Sequence, residues 1–196
     1  MTAPLRSSKL HAGFSLLEAL ITMVILAFGL LGLAGFQVKT QILQVEALQR
    51  AQAILLVEDM VNRVSANRAN AASYVTDPAQ PAGFDDSQPK SCGLSSPLIT
   101  GAALDVCEWS NVLKGATETK TRGLTTDAVG AMTDARGCID LIAGSVPPVY
   151  RVSVAWQGMS VQTAPSIPCG AFRYGSNDGY RRAFALTVPI ADLTLP

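Results

Sequence analysis

Histidine is almost missing from this chain. There is one, His11, in 196 residues, and it stands in a short polar stretch at the N-terminus. Without that stretch the chain has no imidazole, which excludes Ser-His-Asp and Cys-His catalysis and imidazole-held metal ions. Charge is scarce as well: Asp, Glu, Lys and Arg make up 15% of the residues, against roughly 25% in ordinary soluble domains. Lys+Arg 15 balance Asp+Glu 15, so no basic field gathers nucleic acid and no acidic tail exists. None of the four cysteines stands in a C-x-x-C pair, the spacing that thiolate zinc sites and dithiol redox centres use. Enzymes of those kinds are excluded, and no cofactor, metal or small-molecule substrate is expected. What is plentiful is aliphatic: 48% of residues are hydrophobic while only 6% are aromatic, and the mean hydropathy is +0.28.

The excess is concentrated near the start. Residues 1–13 are polar, with Arg6 and Lys9 and no acid, whereas residues 14–36 carry a single charge, Glu18. At about 1.5 Å per residue a helix of that length crosses the roughly 30 Å hydrocarbon core of a bilayer. Basic residues before it and polar chain after it set its N-terminus in the cytoplasm. A secretory signal peptide has a shorter apolar region, about 7–15 residues, and no acid at its head. A plain signal anchor fits the length but leaves Glu18 unexplained, since a carboxylate in a membrane segment costs about 2.5–3.5 kcal/mol on insertion scales. Its place in the first turns gives partial relief through the helix dipole, and snorkelling to the interface is the bland alternative. Gly29, Gly32 and Gly35 form a stripe of small residues suited to close helix approach.

Gly13-Phe14-Ser15-Leu16-Leu17-Glu18 followed by an apolar run resembles the class III signal of type IV prepilins and pseudopilins. The resemblance implies that a prepilin peptidase cuts between Gly13 and Phe14 on the cytoplasmic side and methylates the new amino terminus of Phe14. The apolar helix would be kept. It further implies that Glu18 of one subunit pairs with the Phe14 amine of its neighbour in a growing fibre. Separating such a pair in a low-dielectric surrounding costs on the order of 3–5 kcal/mol.

Beyond the apolar run, Val38, Ile42, Val45, Leu48, Leu55, Leu56, Met60 and Val64 recur mostly at three- or four-residue intervals, and residues 36–76 contain no Gly or Pro. One helix from Phe14 to around Ser73 is expected, with Glu46–Arg50 and Asp59–Arg63 as i,i+4 pairs on its wet face. The spacing is too irregular for a coiled-coil seam. After Tyr74 a Pro-, Gly- and Asp-rich connection begins. A short helix carrying Cys107 and Trp109 follows, and residues 115–137 predict at most a weak helical turn near Asp127–Arg136. Strands are expected at 137–142, 149–157 and 180–188, where apolar and polar residues alternate. One face of the sheet should pack on the long helix, giving an α+β head.

Cys92, Cys107, Cys138 and Cys169 all fall in this head, which the topology places in an oxidising compartment. Four cysteines permit three pairings; Cys92–Cys107 and Cys138–Cys169 are expected, each contributing about 2–4 kcal/mol. Trp109 and Trp156 read as core. Arg181-Arg182 reads as a surface pair at a strand end, and Asp77, Asp85 and Asp86 lack the spacing of a calcium loop.

Asp105, Glu108 and Trp109 in a D-x-x-E-W pattern, and Tyr150, Val152, Val154 and Trp156 in alternation, are similar to features of PilV-type minor pilins. That resemblance implies the α+β type IV pilin fold in four parts: a leader, 1–13; a transmembrane helix, 14–36; its amphipathic continuation, 37–73; and a disulfide-bonded head, 74–196. It implies a subunit held in the inner membrane with its head in the periplasm, then inserted into the pilus. There it would prime assembly at the tip and support twitching motility and adhesion. Implied partners are other minor pilins, the major pilin, the prepilin peptidase and a tip adhesin; nucleic acid is not among them. A minor pseudopilin of type II secretion and a periplasmic binding module on an uncleaved anchor remain the alternatives.

Overall fold

The computed structural model describes residues 15–94, 99–116, 119–122, 125–128, 130 and 132–191. The chain divides into two compact units, residues 1–43 and 44–196. A 51-residue helix, α1 (Leu16–Ala66), contributes its first part to one and its remainder to the other.

In the first unit α1 opens on the Ser15 carbonyl, which accepts from the N–H groups of Glu18 at 3.0 Å and Ala19 at 3.2 Å. No proline interrupts the Leu-, Ala- and Ile-rich sequence that follows. Its most apolar window has a mean hydropathy of 2.4 and buries nothing. By length and composition this helix can cross a membrane.

The second unit is the α+β head. Within it α1 buries Gln49, Ala53, Val57, Met60 and Val64, a face generated by steps of three and four residues. The helix ends at Ala66 rather than near Ser73, and a 3-10 helix, Arg68–Tyr74, replaces its expected last turns. Asn67 causes the break. Its backbone leaves the helical region at φ −110° and ψ 44°. Its side-chain amide donates to the Tyr74 hydroxyl at 3.2 Å, and its amide oxygen accepts from Asn70 at 2.8 Å. Such side-chain bonds compete with helix continuation.

A second helix, α2 (Ala102–Leu113), carries Cys107 and Trp109. The main sheet comprises β1 (Ala82–Gly83), β4 (Arg136–Ile142), β5 (Val149–Gln157) and β6 (Arg181–Pro189), all antiparallel in the order β1-β4-β5-β6. A separate antiparallel hairpin pairs β2 (Thr119–Arg122) with β3 (Thr125–Ala128). It corrects the weak helical turn expected near Asp127–Arg136: Asp127 lies in β3 and Arg136 opens β4. Thr119, Thr121, Thr125 and Thr126 are β-branched and stiff at χ1, which favours paired strands over helix.

One face of the sheet meets α1 and α2. Ile139, Tyr150, Val152, Val154, Trp156 and Val188 pack there with Val57, Met60, Val64, Trp109 and Leu113. At Gly137 the fit permits no side chain, because a Cβ would lie 2.3 Å from two ring carbons of Trp109. The opposite face is covered too, contrary to a sheet buried on one side only. Cys138, Ala155, Cys169 and Tyr174 form a second small core there. Small side chains at Ser153 and Ala155, both fully buried, let the segment before β6 lie against the strands.

Arg181 holds that segment down, so it is no surface residue. It is 5% exposed and donates to the carbonyls of Ile167, Cys169 and Pro165. It also forms an ion pair with Asp178 at 3.1 Å. The Asp178 carboxylate in turn accepts from the N–H groups of Phe172 at 2.7 Å and Tyr174 at 3.3 Å. The Tyr174 hydroxyl donates to the Asp134 carbonyl at 2.7 Å, and burial holds its pKa well above the usual range.

Candidate functional site

Gly13 and Phe14, the expected cleavage and methylation positions, lie outside the described residues. Glu18 lies in the first turn of α1 with its side chain exposed. A carboxylate there is favoured by the positive end of the helix dipole and stands open to a cation from outside the chain. Gly29, Gly32 and Gly35 have nothing within 4 Å of where a Cβ would sit, so the backbone along this stretch is accessible to a second helix.

In the head, the part of α1 after Gln44 is gripped at two places. The upper grip is built on Arg63. Its guanidinium donates to Asp59 at 3.1 Å, one turn back on α1, and to Asp105 at 3.0 Å and Glu108 at 2.7 Å on α2. Desolvation works against the charge, but the three carboxylates outweigh it and hold the Arg63 pKa above its ordinary value. The Tyr74 hydroxyl donates to the other oxygen of Asp105. Burial first, and that bond second, raise the Tyr74 pKa. Trp109 completes the grip. Its indole N–H donates at 2.9 Å to the Leu56 carbonyl of α1, and the ring is fully buried. The D-x-x-E-W pattern is therefore a clasp: all three of its named side chains hold α1.

The lower grip is the carboxylate of Glu46. It accepts from Arg182 of β6 at 3.2 Å, from the Met159 N–H at 3.1 Å and from the Ser160 hydroxyl at 3.1 Å. The expected Glu46–Arg50 pair is thus replaced by a cross-element bridge, because Arg182 is offered from the sheet at a position facing α1. Asp59–Arg63 does form. The sequence gives no signal for Arg63 or Arg182 as cross-element partners, since their acids lie 42 and 136 residues away.

Two disulfides tie the head. Cys92 in a 3-10 turn (Cys92–Leu94) is bonded to Cys107 of α2, and Cys138 of β4 to Cys169 of the covering segment. The acids near residue 80 are dispersed rather than convergent. Asp77 accepts from the Ala79 N–H at 2.8 Å, Asp85 contacts Arg136, and Asp86 pairs with Lys114 while accepting from Ser110 at 2.5 Å. Among the described residues no cluster of three or more His, Cys, Asp or Glu side chains is arranged to hold a metal ion.

Residues 8–34 match the family described as the prokaryotic N-terminal methylation motif. No curated protein and no solved structure matches the chain. The motif spans the Gly13–Glu18 sequence and most of the apolar run, and the chain that follows folds as a long helix on a small antiparallel sheet. The chain thus carries the prokaryotic N-terminal methylation motif, which supports a type IV pilin-like protein, on an α+β fold consistent with the type IV pilin fold.

Proposed function

We propose that this chain is a minor pilin of the PilV type, a structural subunit without enzymatic activity. The observation that carries the reading is the coincidence of the methylation motif at residues 8–34 with the head of an unbroken helix, Leu16–Ala66, whose first part is apolar and exposed. The precursor sits in the inner membrane with its head in the periplasm. A prepilin peptidase removes residues 1–13 and methylates Phe14. The new amine of one subunit then finds Glu18 of the next, so that each added subunit satisfies a charge that lipid leaves unpaired. Other minor pilins and the major pilin are the partners, with a tip adhesin beyond them, and priming of assembly, twitching motility and adhesion are the processes served. The D-x-x-E-W clasp supports the PilV-type assignment by giving those three residues one shared task.

Mass spectrometry of the protein purified from cells containing a prepilin peptidase tests this directly. The expected mass is that of a chain starting at Phe14 and carrying one methyl group. An intact Met1, or an unmethylated chain with another start, excludes both pilin and pseudopilin. Co-purification with secretion-machine rather than pilus subunits would move the protein to type II secretion.

A further inference from the structure

The face that α1 turns to the sheet changes character along its length. From Ala53 onward its buried residues are apolar: Ala53, Val57, Met60 and Val64. Before Ala53 they are polar. Gln49 is 3% exposed, and Glu46 and Gln52 are partly buried. The side-chain oxygens of Gln49 and Gln52 and the indole nitrogen of Trp156 are buried without a hydrogen-bond partner among the described residues. Trp156 belongs to the same seam. It stands opposite Arg182 in the β5–β6 register, so the two side chains share one side of the sheet, and Arg182 reaches Glu46, one turn before Gln49. A buried polar group without a partner costs its own desolvation, and this seam carries three.

One atom bridges the seam. Oε1 of Glu46 accepts from Arg182, from the Met159 N–H and from the Ser160 hydroxyl. The head's side of that contact is held without α1. Arg182 also donates to the Ser160 carbonyl at 2.8 Å and to the Arg181 carbonyl at 3.3 Å. The Gly158 N–H donates to the Tyr180 carbonyl and the Gln162 N–H to the Gly179 carbonyl, both at 2.8 Å. Lifting Glu46 away therefore leaves Arg182 bonded and its surroundings folded, and it lets water reach Gln49, Gln52 and Trp156. The upper grip is made differently. Trp109 bonds the Leu56 backbone, Arg63 spans α1 and α2, and the α1 residues buried beside them are apolar.

We infer that residues 46–52 of α1 are a latch, which lifts from Trp156 and Arg182 as a unit while residues 53–64 stay docked. In the open form the head is held to α1 by the upper grip alone, and the three desolvated atoms are hydrated. Proteins open in contiguous cooperative segments whose free energies lie below that of global unfolding; the polar seam makes this segment the one that opens first. The two released turns can then bend against the head at Ala53. The inference concerns contacts within the head and does not depend on the pilin reading.

The chain has two tryptophans, one in each zone, and both rings are buried. Hydrogen exchange of their indole N–H groups, followed by nitrogen-15 NMR on the full chain in detergent micelles, tests the latch. Trp156 should exchange roughly tenfold or more faster than Trp109. Glu46→Ala should speed Trp156 by about a further tenfold, the effect of losing bonds to a charged group. Arg63→Ala should speed Trp109 and leave Trp156 as in the parent, because opening the latch breaks no bond of Arg63. Equal exchange of the two indoles in the parent overturns the inference. So does an Arg63→Ala variant that speeds both alike, since the head then opens only as a whole. A Trp156 rate that Glu46→Ala leaves unchanged also overturns it, for water then reaches the indole without lifting the helix. If Glu46→Ala does not fold, Gln49→Leu decides. An apolar side chain in the seam should hold the latch closed and slow Trp156; an unchanged or faster rate rejects the latch.

Discussion

Arg63 shows how much of the head's cohesion passes through one side chain. Its bond to Asp59 is a half-exposed i,i+4 pair, worth a few tenths of a kcal/mol. The bonds to Asp105 and Glu108 join two helices and leave partly buried acids behind when broken. Hydrogen bonds to charged groups contribute about 1.5–3 kcal/mol. Arg63→Ala should therefore lower the thermal midpoint by several degrees, at about 2–4 °C per kcal/mol for a domain of this size, while Asp59→Ala should scarcely move it. Equal effects of the two in thermal melts would remove the clasp from α2. Asp86 makes a second prediction. Burial pushes its pKa up, but Lys114, the Ser110 hydroxyl and the N–H groups of Gly83 and Gln88 outweigh burial and hold it below the ordinary 3.8. A carboxyl whose pKa is depressed by folding stabilises the fold fully above its unfolded pKa and loses that contribution as pH falls through the folded one. Asp86→Asn should thus be less stable than the parent at neutral pH by about 1–3 kcal/mol. It should also lose less on acidification below about pH 4, and denaturant titrations across pH will show whether the acid limb flattens.

At the scale of elements, the legible parts are those whose signal is local. Val149–Gln157 alternates apolar and polar residues cleanly, and it is β5 with those bounds. The short helix expected to carry Cys107 and Trp109 is α2, and both side chains are buried. Where the sequence misleads, the deciding partner is remote. The continuous periodicity to Ser73 gives no warning that Asn67 has Tyr74 and Asn70 to bond with, and so the helix stops at Ala66. Arg181 reads as surface because it is charged, yet three carbonyls and Asp178 wait for it under the covering segment. The hairpin of β2 and β3 hides in a polar, threonine-rich stretch without apolar alternation. At the N-terminus the whole signal is contiguous, which is why the motif at residues 8–34 is legible in the sequence alone.

For the molecule as a whole, the proposed assembly rests on the Glu18 carboxylate, which has no partner among the described residues. Glu18→Ala should leave cleavage after Gly13 and methylation of Phe14 unchanged and should deplete the protein from sheared fibres, read by quantitative immunoblotting of membrane and pilus fractions. Wild-type incorporation of the variant would mean that assembly does not draw on this carboxylate. The head serves the same end by holding α1, and that hold has a hidden dependency. The indole of Trp109 reaches the Leu56 carbonyl only because Gly137, on a strand of the sheet below, offers bare backbone at the spot where its ring lies. One methyl group added at that glycine would lever the ring away from the helix. A lesion in the floor of the head would then loosen its hold on a rod that the altered residue never touches.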